Sequence, residues 1–196
     1  MRGGYAGEMT GLAPDLDRDP RASGPAARRP RRGGDPDRLE GIPSRAAILG
    51  HPIHPILIPY PVAYLSTVAM TDLAYWRTRD PFWAEASRWL LRAGLVAGGV
   101  AGAAGAVDYA TIGRVRRHPV GPLHAVGNVA ALALTAWNLA LRRNDPEENV
   151  VPRGLAVSAS VAALLGLTAW AGSELVYRHM VAVVGHNDQH GDEREE

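Results

Sequence analysis

Four apolar runs, each about as long as a bilayer is thick, constrain this chain more than anything else in it. They cover residues 56–76, 93–113, 119–141 and 154–177. A hydrocarbon core of about 30 Å is crossed by about 20 apolar helical residues. Arg92 and Arg114 bracket the second run, His118 and Arg142 the third, Arg153 and Arg178 the fourth. Within the runs charge nearly vanishes for about six turns, whereas a soluble bundle carries a charged outer face on every helix. The expected fold is all-α, an integral membrane up-down four-helix bundle with disordered N- and C-terminal tails.

Composition divides the chain into three parts: a tail over 1–45, a membrane domain over 46–182 and a polar tail over 183–196. Residues 1–45 are rich in Pro, Gly, Asp and Arg, including Arg28, Arg29, Arg31 and Arg32. Such a stretch buries too little apolar surface to offset its ordering entropy. It lacks the short apolar core of a cleavable leader, so none is expected. A net charge of +1, with arginines interleaved with aspartates, speaks against nucleic acid as a partner. With no cysteine, disulfides, thiolate-held iron–sulfur clusters and covalently attached c-type haem are excluded. The lipid bilayer is the expected surrounding.

The stretch 77–92 mixes Phe82, Trp83 and Trp89 with Arg77, Arg79, Arg88 and Arg92, the pattern of a connection at headgroup depth. Arginine counts on the two sides are level. The arginine-rich first 45 residues place both termini in the cytoplasm of a bacterial cell, with the bundle in its cytoplasmic membrane. Gly94, Gly98 and Gly102 recur every four residues, a spacing that lets helix backbones approach closely in lipid. That face packs either on the first helix or on a second copy of the chain, giving a homo-oligomer.

Chain direction alternates along an up-down bundle, so polar groups distant in sequence gather at one end. His51 and His54 precede the first span, and Asp108 and Tyr109 end the second. His124 and Asn128 open the third, and Glu174, Tyr177 and His179 close the fourth. Asp72 lies about 27 Å from His54 along a helix and belongs to the opposite end. His124, Asn128, Thr135 and Asn138 share one helical face, which points inward. The plainer reading treats the histidines as boundary residues in the headgroups and Glu174–Arg178 as a helical ion pair at i,i+4.

The series Gly50-His51-Pro52-Ile53-His54-Pro55, Gly105-Ala106-Val107-Asp108-Tyr109, His124-Ala125-Val126-Gly127-Asn128 and Gly172-Ser173-Glu174 onwards resembles the bacterial membrane family catalogued as domain of unknown function 2231. The resemblance covers roughly residues 46–182. It implies a four-span membrane protein, with no activity to carry over; the joining of some members to a Rieske-type domain hints at redox work near haem or quinone.

Three functions compete. A redox-associated module would hold haem b through His54 and His124, with His179 or His51 as substitutes, and would serve a redox partner. A divalent-metal site, structural or transport-related, would use His51, His54, Asp108 and His124. In either, Asn128, Tyr109, Glu174 and Tyr177 stand behind the ligands. A structural or partner-binding protein would use the polar end only to fix helix packing. No nucleophile–base–orienter set marks an enzyme.

Overall fold

The computed structural model describes residues 41–183. A short hairpin, β1 (Ala47–Ile48) and β2 (His51–Pro52), leads into α1 (Ile53–Leu57) and α2 (Pro59–Thr78). Then follow α3 (Pro81–Thr111), α4 (Gly113–Arg117) and α5 (Val120–Leu141), and a kinked turn at Val150–Gly154, extended at Val151, leads into α6 (Leu155–Tyr177). α1 and α2 run on as one span, and α3, α5 and α6 supply the other three helices long and apolar enough to cross a membrane. α2 packs on α3 and α6, and α5 packs on the same two. α2 and α5 are therefore diagonal across an up-down-up-down bundle.

The distribution of side chains is inverted relative to a soluble bundle. Large apolar groups such as Met70, Val96, Val126, Val129, Trp137 and Trp170 point outward. Asp72, Ser87, Thr135, Asn138, Arg142 and Ser158 are almost completely buried. Lipid solvates the first set, while the second must satisfy its hydrogen bonds inside the protein.

The spans keep their expected places but differ at their ends. Pro55, Pro59 and Pro61 belong to the helical first span, because the opening turns of a helix leave their N–H groups unused. The expected connection at 77–92 shrinks to Arg79 and Asp80. Arg79 terminates α2 in a left-handed conformation (φ 56°), and the Asp80 side chain caps α3 by accepting from the Phe82 N–H at 3.0 Å. The Trp83–Arg92 stretch is thus the first turns of α3, whose 31 residues reach about 46 Å and outrun the hydrocarbon core. Residues 41–45, counted with the N-terminal tail from composition, are part of the folded unit. The Ile42 N–H donates to Met180 O (3.0 Å) and the Ala182 N–H to Ile42 O (2.8 Å). The tail assignments for 1–40 and 184–196 lie outside the described residues.

One ion pair ties the four spans together at the end where α2 meets α3. Arg142 donates from both terminal nitrogens to Asp72, each at 2.7 Å, and both side chains are fully buried. Ser87 on α3 and Ser158 on α6 each donate to Asp72 at 2.6 Å. Asn138 on α5 accepts from Arg142 Nε (3.1 Å) and donates to Ser158 (2.8 Å). Expected from sequence to be a boundary arginine, Arg142 instead turns inward.

The glycine seam faces inward too. A Cβ on Gly94 would collide with Leu65 of α2, and one on Gly98 with Leu132 of α5. Those two glycines are buried within the bundle, so Gly94 takes the packing on the first span, one of the two the sequence leaves open, and Gly98 packs on α5; Gly102 is exposed. Gly98→Leu overpacks this contact and should destabilise the protein by about 1–3 kcal/mol. A thermal melt in detergent measures it, and a melt equal to wild type would show that the seam tolerates bulk.

Candidate functional site

The position of His54 is set before its helix begins. Asp108, in the last turn of α3, accepts from Ser44 Oγ (2.8 and 2.7 Å), from the Arg45 N–H (3.0 Å) and from the Ala46 N–H (3.4 Å). Ala46 O then accepts the Ile53 N–H at 2.8 Å, and the hairpin between them turns at Leu49 (φ 51°) and Gly50 (φ 75°). Positive φ at both central residues is the two-residue turn whose twist matches its strands. The result locks the start of α1, and with it His54, against the end of α3.

His54 Nδ1 lies 2.7 Å from Ala101 O on α3. A carbonyl can only accept, so Nδ1 carries the proton, and in the neutral ring Nε2 keeps its lone pair. His124, in the second turn of α5, repeats this arrangement: its Nδ1 donates to Thr168 O on α6 at 2.8 Å. Each ring also lies over a glycine four residues beyond the accepting carbonyl. A Cβ on Gly105 would come within 2.8 Å of the His54 ring, and one on Gly172 within 3.0 Å of the His124 ring. The two ring centroids stand 6.0 Å apart with planes at 89°. Neither Nε2 has a hydrogen-bond partner among the described residues.

The two halves of the chain share more than this device. His124 follows His54 by 70 positions, and Arg142 follows Asp72 by the same 70. On the returning helices Thr168 follows Ala101, and Gly172 follows Gly105, by 67. Buried positions correspond at the same offsets: Leu65 with Thr135, Val68 with Asn138, Ser87 with Gly154, Leu91 with Ser158. The first hairpin (α1 to α3) and the second (α5 and α6) are therefore parallel copies about a pseudo-two-fold axis along the bundle. His54/His124 and Asp72/Arg142 are equivalent pairs across that axis.

Other residues expected at the site are placed elsewhere. His51 is exposed on the hairpin, where its Nδ1 meets Leu49 O at 2.9 Å. His179 lies against His118, with centroids 3.8 Å apart and planes inclined at 44°. Glu174 pairs with Arg178 at 3.1 Å, Tyr177 is exposed, and Tyr109 packs with Ile112 and its neighbours. Asn128 donates to His124 O (2.7 Å) rather than to the ring, so the orienting groups are main-chain carbonyls that no sequence motif reveals. With Asp108 held by the 44–46 segment, no group of three His, Asp or Glu side chains suited to a metal ion forms among the described residues.

These features define a four-span helical membrane protein with a histidine pair near one end of its bundle. The chain belongs to the family described as "Predicted membrane protein (DUF2231)", whose model matches residues 50–185. No curated protein and no solved structure matches it.

His179 closes the end of the fold, beside the Ile42–Val181 bridge. Burial holds its imidazole below the usual histidine range; His118, Arg114 and Arg178 add to this, while Glu174 opposes it. Its ordinary value in the unfolded chain is about 6.5, so below that pH the unfolded chain binds more protons and this contribution to stability declines. It is fully present above about pH 6.5 and is lost as pH falls towards the depressed folded value. Amide exchange in 41–46 and 179–183, corrected for intrinsic rates, should rise on acidification ahead of the spans. His179→Gln should flatten that response; an unchanged response would locate the pH dependence elsewhere.

Proposed function

We propose that the protein is a redox-associated membrane module in which His54 and His124 ligate the iron of one haem b. The observation that carries this reading is the pair itself: two imidazoles on diagonal spans, 6.0 Å apart, each with Nδ1 fixed by a backbone carbonyl. Metal-ligating histidines are commonly oriented by such a bond from their other ring nitrogen, which also raises ligand basicity. An ion held by both Nε2 atoms would keep them about 4 Å apart, a separation that rings at this distance permit.

The donor count favours haem over a bare divalent ion. His54 and His124 would be the two protein donors that haem b needs, whereas a bare divalent ion would need protein donors beyond the pair. Gly105 and Gly172 let the two rings lie directly against α3 and α6, which fixes where their Nε2 atoms stand. When bound, haem would supply one-electron chemistry, and the partner would be a donor or acceptor at the membrane surface. The bacterial cytoplasmic membrane, with both termini in the cytoplasm, is the location this reading adopts.

The visible spectrum of detergent-purified protein, reconstituted with haem, tests the proposal. A Soret band and one haem per chain are expected, with His54→Ala and His124→Ala each abolishing six-coordinate low-spin character. Gly105→Ala should weaken haem retention by displacing the His54 ring. Absence of haem binding, or variants that bind it as wild type does, would leave the pair a structural contact.

A further inference from the structure

The end of the bundle opposite the histidines carries a cleft between α3 and α5. Its volume is about 310 Å³, and Arg88, Arg92, Arg142 and Arg143 line it together with Leu139 and two alanines. Arg142 is fully engaged with Asp72 and forms only the wall. The other three guanidiniums are differently placed. Arg88 pairs through its NH2 group with Glu85 at 2.9 Å, but its Nε is buried without a hydrogen-bond partner. The Arg92 guanidinium lies over the Trp89 ring, 5.2 Å from its centroid, and Arg143 is exposed with no partner among the described residues.

The pseudo-symmetry supplies an internal comparison. The equivalent groove between α6 and α2 carries Leu155, Ala159 and Leu73 where the cleft has Arg88, Arg92 and Arg143. Packing two hairpins does not require arginine at these places, since the twin groove has apolar side chains at the three equivalent positions. Something specific to the α3–α5 side accounts for them.

We infer that this cleft binds the phosphate of an anionic phospholipid, with an acyl chain lying along the apolar surface of Leu139 and Ala136. Arginines matched to phosphate oxygens form short, charge-assisted hydrogen bonds, and Arg143 offers the cleft an exposed guanidinium without a partner among the described residues. The depth agrees. α3 outruns the hydrocarbon core, so Arg88 and Arg92 fall where headgroups lie, beside the interfacial Trp89. Basic pockets between transmembrane helices are known recognition sites for anionic headgroups, and the adjoining apolar wall selects a lipid over free phosphate.

The test uses the full chain, stripped of lipid in detergent and titrated separately with phosphatidylglycerol, phosphatidylcholine and inorganic phosphate, with adducts counted by native mass spectrometry. Phosphatidylglycerol should bind, and R88Q/R92Q/R143Q should weaken it by roughly a hundredfold, on the scale of three surface arginines. Arg153→Gln, exposed at the same end but outside the cleft, should bind as wild type does. If the triple variant melts below wild type in lipid-free detergent, Arg143→Gln alone replaces it, with a roughly fivefold loss expected. Equal binding of phosphatidylcholine, phosphate alone binding as tightly as the lipid, or lipid affinity unchanged by the substitutions would each overturn the inference.

Discussion

An ionised carboxylate and a guanidinium held entirely inside a membrane-spanning bundle are tolerated only if they neutralise and satisfy each other. Asp72 and Arg142 meet that condition with two parallel hydrogen bonds, and Ser87, Ser158 and Asn138 supply further partners. All four spans contribute a side chain, so the network sets the relative positions of the helices at that end. Removing either charge would strand its partner, a loss on the order of 3–5 kcal/mol for a buried pair. Hydrophobic packing in lipid gives little directional preference between helices, which leaves such polar contacts and small-residue seams to select one arrangement.

The pair is also a consequence of how the bundle is built. Two hairpins of one design, related by a pseudo-two-fold axis, bring equivalent positions face to face near that axis. At one end the equivalent residues are both histidine, and each donates its Nδ1 proton to the facing helix of its own hairpin. At the other end they have diverged to opposite charges and bond to each other. The first arrangement leaves two ring nitrogens without partners among the described residues; the second closes the bundle. A candidate ligand site and a structural clamp thus arise from the same symmetry at opposite depths.

Much of this architecture was legible in the residues. Four long, nearly uncharged runs leave few alternatives to spanning helices, and alternating chain direction was enough to bring His54 and His124 to one end. Arg142 was hidden because an arginine at the end of an apolar run has the same sequence signature whether it snorkels to headgroups or turns inward. Ser44 was hidden because residues 41–45 are tail-like in composition, and their order depends on the distant Asp108. His51, His179, Glu174 and Tyr177 gather at the same end of the bundle as the histidine pair but do not meet it: the end follows from counting residues along a helix, whereas contact depends on packing. The carbonyls of Ala101 and Thr168 belong to the main chain and leave no mark in a motif, although Gly105 and Gly172 flag the close approach once the partner rings are known.

The most direct test is a charge exchange. Asp72→Arg and Arg142→Asp, made singly, each place two like charges in the buried site and should abolish recovery of folded protein from the membrane. Made together, they restore an ion pair between two-fold-equivalent positions, and most of the folded yield and of the detergent melting temperature should return. A double variant as defective as the single ones would contradict the account.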